Sequence, residues 1–273
     1  MSEPRPVLVC PLCRGVLVRQ PPTWRCANNH CYDVAREGYV NLLLVQQKHS
    51  PEPGDSAESL TARRAFLEAG HYGPLRDAVV ARLALLAAGS LLDLGCGEGW
   101  YTSAFPTIAS EVVGLDIAKP AIRLAAKRYP GITWIVGSGA LLPVDDASLD
   151  VISCLFTQLH IDEMHRALKP GGHVLVVTPA ADHLWSLRAG LFEDVVAHEP
   201  DKFLAGFAER FELTARDDVR APLSLGNAQL RQLLAMTPYV WKARPERRAA
   251  LERCEQLETT AAFSLLLFRK RAP

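Results

Sequence analysis

SLLDLGCGEGWYTSAF, residues 90–105, decides the fold of this 273-residue chain. The stretch is an apolar strand followed by Asp93, by glycines at three alternate positions and by a predicted helix. Those glycines are Gly95, Gly97 and Gly99. Glycine is needed where the backbone turns tightly and a ligand must lie against it with no Cβ in the way. The spacing is not the G-x-G-x-x-G fingerprint of nicotinamide-dependent enzymes, so a different ligand is expected at this turn.

Strands and helices alternate after this motif. EVVGLDIAKPAI, residues 111–122, is a second strand with Asp116 at its end, and an acid there can accept both ribose hydroxyls of a nucleoside. Two strands follow within residues 132–156, and residues 164–179 supply a helix, a Gly-Gly turn and a fifth strand. This alternation predicts a parallel sheet with helices on both faces and with ligands at the carboxyl ends of its strands.

The flanking segments complete the predicted fold. Residues 60–89 have helical periodicity interrupted by glycine and proline, which predicts two helices. Residues 207–225 and 259–271 are read as two last strands, paired antiparallel, with a helix around residues 227–238 between them. The D-x-G-x-G-x-G spacing is typical of S-adenosylmethionine (SAM) methyltransferases. We therefore expect an α/β fold of the class I SAM-dependent methyltransferase type, Rossmann-like, with a mainly parallel seven-stranded sheet.

A cysteine cluster precedes this domain. The segment CPLCRGVLVRQPPTWRCANNHC, which begins at Cys10, continues with Cys13 in a C-x2-C knuckle and with Cys26 in a second knuckle. Zinc takes four soft or borderline ligands in a tetrahedron, and two knuckles joined by a short hairpin supply that geometry. RGVLV and TWRC are read as strands of a small zinc ribbon, with QPPT as the turn. The fourth ligand is His30 or the adjacent Cys31, and the spacing alone does not decide between them.

Composition limits the remaining choices. The chain is 49% hydrophobic and 22% charged with zero formal net charge, so it can bury a sizeable core and no DNA partner is expected. No secretory signal and no long apolar run is found, so we expect no membrane association and a cytoplasmic location. In that reducing compartment clustered cysteines favour a metal over disulfides. The scattered Cys96, Cys154 and Cys254 are read as small core residues.

The sequence resembles the bacterial 23S rRNA guanine-N1 methyltransferases, which join an N-terminal zinc ribbon to a class I SAM domain. The resemblance covers nearly the whole chain and rests on CPLC, DVAREGYVNLL, PGDSAESLTARRAFLEAGHYGPL, DLGCGEGWYT, AAKRYP, LKPGG and MTPYVWKARPE. EGYVNLL and ARRAFLEAGHY are not general methyltransferase features, so the resemblance is specific. Two subgroups of the family methylate neighbouring guanines of one hairpin. PGDSAE and MTPYVWKARPE favour the subgroup of Gram-negative bacteria, which acts on guanine 745 rather than guanine 748.

The resemblance also implies particular site residues. It places the fourth zinc ligand at His30 and implies cofactor contacts at Tyr72, at Gly97 and Glu98 in the glycine loop, and at His183. In the plainer alternative, Tyr72 packs a helix end and His183 caps the helix after the fifth strand. The candidate cofactor-binding residues are Tyr72, Asp93, Gly95, Gly97, Glu98, Gly99, Asp116 and His183. The candidate metal ligands are Cys10, Cys13, Cys26 and His30.

The implied reaction sets demands on the acceptor site. Guanine N1 lies on the Watson–Crick edge, so the base must be unpaired or flipped before N1 can align with the methyl group. No general base is assigned, because Glu98 and Asp116 are better explained by cofactor binding. The segment LFTQLHIDEMH lacks a Pro-bearing stretch that the family often has near the acceptor base. Candidate stacking aromatics, each with core packing as its alternative, are Trp100, Phe156, Trp185, Tyr239 and Trp241.

The expected domains are residues 1–45 as a zinc-ribbon RNA-recognition module, 46–90 as a linker with helices covering the cofactor site, and 91–273 as the methyltransferase domain. The ribbon is expected to clamp a hairpin of 23S rRNA domain II through three arginines, with a purely structural clip as the alternative. Those arginines are Arg14, Arg19 and Arg25. The resemblance also allows a homodimer. Two other functions stay open: a SAM enzyme acting on a small molecule, and a non-catalytic zinc-ribbon adaptor for RNA or protein.

Overall fold

A computed structural model describes residues 8–47 and 54–272. The strands there are β1 (Val18–Gln20), β2 (Thr23–Arg25), β3 (Cys31–Asp33), β4 (Val40–Asn41), β5 (Ser90–Leu94), β6 (Glu111–Asp116), β7 (Thr133–Val136), β8 (Leu149–Leu155), β9 (Leu168–Pro179), β10 (Phe211–Gly226) and β11 (Gln256–Lys270). The α-helices are α1 (Ala57–Glu68), α2 (Gly73–Ala84), α3 (Lys119–Arg128), α4 (Ile161–Ala167), α5 (Trp185–Leu191), α6 (Leu204–Ala208), α7 (Asn227–Met236) and α8 (Pro245–Glu252).

The large sheet has the strand order β10-β11-β9-β8-β5-β6-β7-β4. Strands β9, β8, β5, β6, β7 and β4 pair in parallel, whereas β11 pairs antiparallel with both β9 and β10. The order reverses direction at β5, and in such sheets ligands bind beyond the carboxyl ends of the strands at this switch point. The predicted class I methyltransferase fold is confirmed.

The expectation of seven strands in this sheet is wrong by one. The eighth is β4, a two-residue strand after the three short strands of the ribbon, and it pairs in parallel with β7 (Val40 with Ile135, Asn41 with Val136). Two residues carry no alternating pattern, so the sequence gives no signal for this strand.

The ribbon packs directly on the methyltransferase sheet. Leu17 and Leu42 belong to the same buried apolar cluster as sheet residues such as Ile152. The Val9 amide donates to the Pro143 carbonyl at 3.0 Å, and Leu8 forms an antiparallel bridge with Val144. The ribbon and α4 therefore cover one face of the sheet, while α1, α2, α3 and α7 contribute to the core on the other face.

Several local expectations differ from the structure. The helix after the glycine motif is a 3-10 helix, Thr102–Thr107, because Pro106 inside it has no N–H to continue an α-helix. The first ribbon strand begins at Val18 rather than at Arg14, whose positive φ of 60° forms part of the knuckle turn. Cys96 and Cys154 are buried as expected, whereas Cys254 is only half-buried after α8. Within the described ranges, every helix is too short or too polar to cross a membrane.

Candidate functional site

The glycine loop after β5 is built on positive φ angles. Gly95, Gly97 and Gly99 have φ of 73°, 56° and 80°, a region that residues with a Cβ avoid. A Cβ on Gly95 would lie 2.3 Å from Thr157 Oγ1, and one on Gly99 would lie 2.5 Å from the Trp134 ring. Gly95 and Gly97 line a large cavity at this end of the sheet, whereas Gly99 does not, so Gly99 serves the packing of the loop.

Two acids hold the loop in place. Asp93 is buried and accepts hydrogen bonds from the hydroxyls of Thr102 and Ser153, the latter at 2.7 Å. Burial raises the pKa of Asp93 to about 6. Asp116, at the end of β6, accepts the Gly97 amide on Oδ2 and the Ala118 amide on Oδ1, each at 2.8 Å. Each carboxylate oxygen has a second lone pair, so Asp116 can still accept ribose hydroxyls.

Glu98 has a buried oxygen that protein partners in the described part of the chain leave without a hydrogen bond, as do Tyr101 and Thr178 in the same cavity wall. It is only 6% exposed, and its Oε2 has no hydrogen-bond partner among the described residues. Burial raises its pKa, while Arg63 Nη1, 3.8 Å from Oε2, opposes that shift. Arg63 is held in turn by Asp55 at 2.6 Å. A buried oxygen without a partner in a cavity wall is what hydroxyl or amino groups of a nucleoside cofactor would satisfy.

The cavity, of about 730 Å³, lies at the carboxyl ends of the central strands. The volume suits a cofactor together with part of a second substrate. Seven of the eight predicted cofactor residues line it, namely Tyr72, Asp93, Gly95, Gly97, Glu98, Asp116 and His183. The residues present therefore fit SAM, although direct contact of each residue with the cofactor stays a prediction.

Tyr72 and His183 lie together on one wall. Tyr72 is the N-cap position of α2 and makes edge contacts with Phe66 and Phe263, so it both packs a helix start and faces the cavity. His183 does not cap α5. Its Nδ1 lies 2.8 Å from the carbonyl oxygen of Ala262, and burial lowers its pKa to about 4. The imidazole of His183 is therefore neutral near pH 7.

The predicted stacking aromatics separate into two groups. Phe156, Tyr239 and Trp241 line the cavity, and Phe156 and Trp241 are 46% and 81% exposed. Trp100 also lines it but is buried beneath the Arg76 guanidinium, 4.7 Å from the ring centroid. Trp185 is not a residue of the cavity wall, so it is not in place to stack a base there.

Sequence reasoning did not single out the cavity residue His198, whose imidazole can take up or release a proton. Its Nε2 lies 2.8 Å from the Tyr239 hydroxyl. The residue follows α5 in an irregular segment, VVAHEPDK, that matches no catalytic motif. Only the fold brings it beside Tyr239, 41 residues later.

The cysteine cluster has the geometry of a tetrahedral metal site. The ligand atoms of Cys10, Cys13, Cys26 and His30 all lie within 4.8 Å of one another. Cys13 and Cys26 sulfurs are 3.7 Å apart, and His30 Nδ1 is 3.4 Å from Cys10 Sγ. Ligands about 2.0–2.3 Å from one zinc ion are separated by such distances. Cys31 is exposed, and its sulfur accepts from Arg25 at 3.8 Å.

The three arginines proposed for RNA clamping differ in what they contact. Arg14 donates to the carbonyls of Leu142 and Val144, each at 3.0 Å, so it joins the ribbon to the methyltransferase domain. Arg19 and Arg25 are exposed on β1 and β2. Its guanidinium thus contacts backbone oxygens of the methyltransferase domain, and RNA clamping by Arg14 stays a prediction.

The sheet, the glycine loop and the cavity define a class I SAM-dependent methyltransferase that carries a zinc ribbon. Residues 8–51 match the zinc-ribbon family model described as RlmA, N-terminal, and residues 92–176 match the model described as methyltransferase domain. The 23S rRNA (guanine(748)-N(1))-methyltransferase of Streptomyces fradiae is 34% identical over 252 residues, covering 89% of this chain and 88% of that protein. The chain belongs to the 23S rRNA guanine-N1 methyltransferase family.

Two further relatives span nearly the whole chain. Proteins of Micromonospora griseorubida and Bacillus subtilis, both provisionally named as 23S rRNA (guanine-N(1)-)-methyltransferases, are 32% and 30% identical. They cover 97% and 96% of this chain. SAM is the methyl donor of this enzyme, and the Cys/His cluster fits one zinc ion.

Proposed function

We propose that this enzyme transfers the methyl group of SAM to N1 of guanine 745 in a domain II hairpin of 23S rRNA. The observation that carries the proposal is the similarity, over ribbon and methyltransferase domain alike, to relatives named for transfer to guanine N1 of that RNA. A ribosomal RNA substrate would also place the enzyme in the cytoplasm.

The cavity supports two adjoining sites, one for each substrate. Asp116 and Glu98 hold the nucleoside end of SAM, and the open glycine loop lets the cofactor lie against the backbone. When bound, SAM supplies a methyl group on a positively charged sulfur. Across the switch point of the sheet, Phe156 and Trp241 are left exposed to receive the acceptor base. The chain thus contributes chiefly by aligning N1 with the methyl carbon.

Phe156 is the aromatic side chain that we assign to stacking on the flipped guanine. It follows β8 directly and has a φ of 58°, a conformation that costs an aromatic residue about 1–3 kcal/mol. Such strain concentrates at functional sites. Its ring packs against Phe263 at 5.5 Å between centroids while remaining 46% exposed toward the cavity. Base–aromatic stacking of this kind is worth about 1–3 kcal/mol.

Primer extension tests the function and the position together. Purified enzyme, SAM and 23S rRNA from cells lacking the modification are incubated, and reverse transcription is mapped across domain II. Since N1 methylation blocks base pairing, a stop at guanine 745 supports the proposal. A stop at guanine 748, the position for which the Streptomyces fradiae relative is named, keeps the reaction and rejects the position. No stop, with SAM binding intact by calorimetry, rejects this substrate.

We propose Cys10, Cys13, Cys26 and His30 as the ligands of one structural zinc ion. Zinc content per chain, measured by atomic absorption, should fall sharply in His30→Ala. It should stay near one ion in the matched neighbour variant Cys31→Ser, because the Cys31 sulfur is exposed and faces Arg25. A loss of zinc in Cys31→Ser with retention in His30→Ala would reverse the assignment.

We propose that the ribbon, residues 1–45, contributes to RNA recognition through Arg19 and Arg25. Both side chains are exposed on the hairpin, and phosphate contacts by such arginines make affinity depend on salt. Reversing both charges to Glu should weaken hairpin binding and reduce its salt dependence, with SAM affinity unchanged. Unaltered hairpin affinity would favour the purely structural role of the ribbon.

A further inference from the structure

No residue has yet been assigned to accept the proton that guanine N1 must lose. Guanine N1 carries a proton, and forming an N1–methyl bond requires that proton to leave. The acids of the cavity are poorly suited to accept it, because Asp93 is enclosed by two hydroxyls, Asp116 holds two backbone amides, and Asp55 and Glu98 both lie beside Arg63. A group in the acceptor half of the cavity is needed.

His198 is a cavity residue that contacts Tyr239, one of the candidate stacking aromatics. It lines the cavity together with Tyr239, Trp241 and Phe156. Its backbone N–H donates to the Ala181 carbonyl at 3.0 Å, which fixes an otherwise irregular segment beyond the end of β9. Its ring lies 6.3 Å from the ring of His183, centroid to centroid, so it is close to the predicted cofactor wall.

The two ring nitrogens of His198 have different surroundings. Nε2 is 2.8 Å from the Tyr239 hydroxyl. Nδ1 has no hydrogen-bond partner in residues 8–47 and 54–272, and it is not among the enclosed atoms without partners. If Nε2 carries the hydrogen and donates to Tyr239, the lone pair on Nδ1 is free. This hydrogen bond to Tyr239 therefore orients an accessible basic nitrogen.

We propose that His198 is the general base of the reaction, with Tyr239 as the residue that positions its ring. The assignment rests on the proposed transfer to guanine N1. The N1–H bond breaks as Nδ1 of His198 takes the proton, and the N1–carbon bond forms as the carbon–sulfur bond breaks. Sulfur keeps that electron pair and becomes neutral. The positive charge passes to the imidazolium, which later releases its proton to water.

A buried arginine, Arg188, supports this arrangement. Arg188 is 5% exposed, and its guanidinium lies 5.8 Å from the centroid of the Tyr239 ring. It also donates to the carbonyls of His183 and Val196, two residues before His198. Arg188 thus fixes both the segment and the tyrosine that hold the base.

The charge state of His198 is compatible with the role. Burial lowers its pKa below the ordinary value of 6.5, and the cations Arg188 and Lys202 lower it further. The other titratable groups against it are the neutral His183 and the Tyr239 hydroxyl. Because the pKa is lowered, the imidazole is neutral at pH 7 and takes up a proton only in more acidic solution. The rate of the wild-type enzyme should therefore decrease as the pH is lowered below 6.5 and should not depend on pH above that value.

The test compares the kcat of His198→Ala with that of a control variant, His173→Ala. His173 is a half-buried histidine on β9 that lies outside the cavity. General bases contribute about 10²–10⁴-fold, so His198→Ala should lower kcat for methylation of 23S rRNA at least about 100-fold. The KM for RNA and the affinity for SAM should change little. Added imidazole should restore part of the rate, and the acidic limb of the pH profile should disappear. Tyr239→Phe should lower kcat less and leave imidazole without effect.

Each outcome bears on a separate claim. His198→Ala with a wild-type kcat, or with a low kcat that imidazole does not raise and an unchanged acidic limb, overturns the base while leaving the function intact. His198→Ala that has lost SAM affinity assigns the residue to cofactor binding instead and also overturns it. If the wild-type enzyme forms no N1-methylguanine, the proposed function fails and the base assignment fails with it.

Discussion

Gly95 meets two demands at one position. Its φ of 73° is unfavourable for any residue with a Cβ, and the space beside it is filled by Thr157. Gly70, in the turn between α1 and α2, has a similar φ of 84°, but a Cβ added there would meet no heavy atom within 4 Å. Comparing Gly70 with Gly95 therefore separates the free-energy cost of a positive φ from the cost of steric overlap with Thr157.

We expect Gly70→Ala to lower the free energy of unfolding by about 1–2 kcal/mol, the conformational cost alone. Gly95→Ala should lower it by about 1–3 kcal/mol more, because Thr157 must move. It should also abolish SAM binding, whereas Gly70→Ala should retain it. Urea denaturation and calorimetry measure both effects. Equal destabilisation by the two variants would show that the loop yields to the added methyl group.

The sequence was informative for residues whose role depends on local spacing. Asp93, the glycines and Asp116 could be placed because each lies at a strand end that the apolar pattern marks. His198 could not be found, because its partner Tyr239 is distant in the chain and no motif joins them. The contacts of Arg14 with Leu142 and Val144 could not be found for a related reason, because those residues are 128 and 130 positions away in the chain.

At the scale of elements, the ribbon is joined to the methyltransferase domain through two backbone carbonyls, each of which accepts hydrogen bonds from two arginines. Arg14 from the ribbon and Arg166 from α4 both donate to the carbonyl oxygens of Leu142 and Val144, at 2.9–3.1 Å. Asp146, 3.6 Å from Arg14 and 2.7 Å from Arg166, offsets the repulsion between the two cations.

A double-mutant cycle should show that these arginines depend on each other. Either single Ala variant leaves one donor on each carbonyl, but the double variant leaves two buried acceptors unpaired, which costs more. The loss of unfolding free energy in the double variant should exceed the sum of the single losses by about 0.5–3 kcal/mol. A cycle of Arg166→Ala with Arg19→Ala, an exposed site, should be additive. Additivity in both cycles would contradict shared support of the carbonyls.

The long elements could be predicted and the short ones could not. Strands β5, β6 and β8 are apolar runs between turn residues, and α1 and α2 are separated by glycine and proline, so sequence places them well. The 3-10 helix after the glycine loop, Thr102–Thr107, and the two residues of β4 depend on contacts with the rest of the chain. Neither is long enough to impose its own periodicity.

At the scale of the molecule, the ribbon and the methyltransferase domain share one apolar core. Cys10 and Cys26 are themselves members of the buried cluster that includes sheet residues. Losing the metal therefore removes support from the sheet as well as from the ribbon.

We expect chelation of zinc to lower the thermal midpoint of the whole chain, in one transition. A loss of a few kcal/mol corresponds to about 10 °C for a protein of this size. Differential scanning calorimetry with and without chelator measures the shift, and added zinc should reverse it. A separate early transition, with the main one unmoved, would mean that the two parts unfold independently.

Strand β4 affects how the sheet edge is protected while the chain is synthesised and folds. It pairs with β7, whose backbone N–H and C=O groups beside Trp134 and Ile135 would otherwise be unpaired. The strand at the opposite edge of the sheet, β10, carries charged residues that discourage pairing with another chain. Synthesis proceeds from the N-terminus, so the ribbon emerges before the strand that it will cover. A chain whose ribbon lacks zinc and is unfolded would leave the β7 edge uncovered, and we expect such a chain to aggregate more readily than the zinc-loaded one.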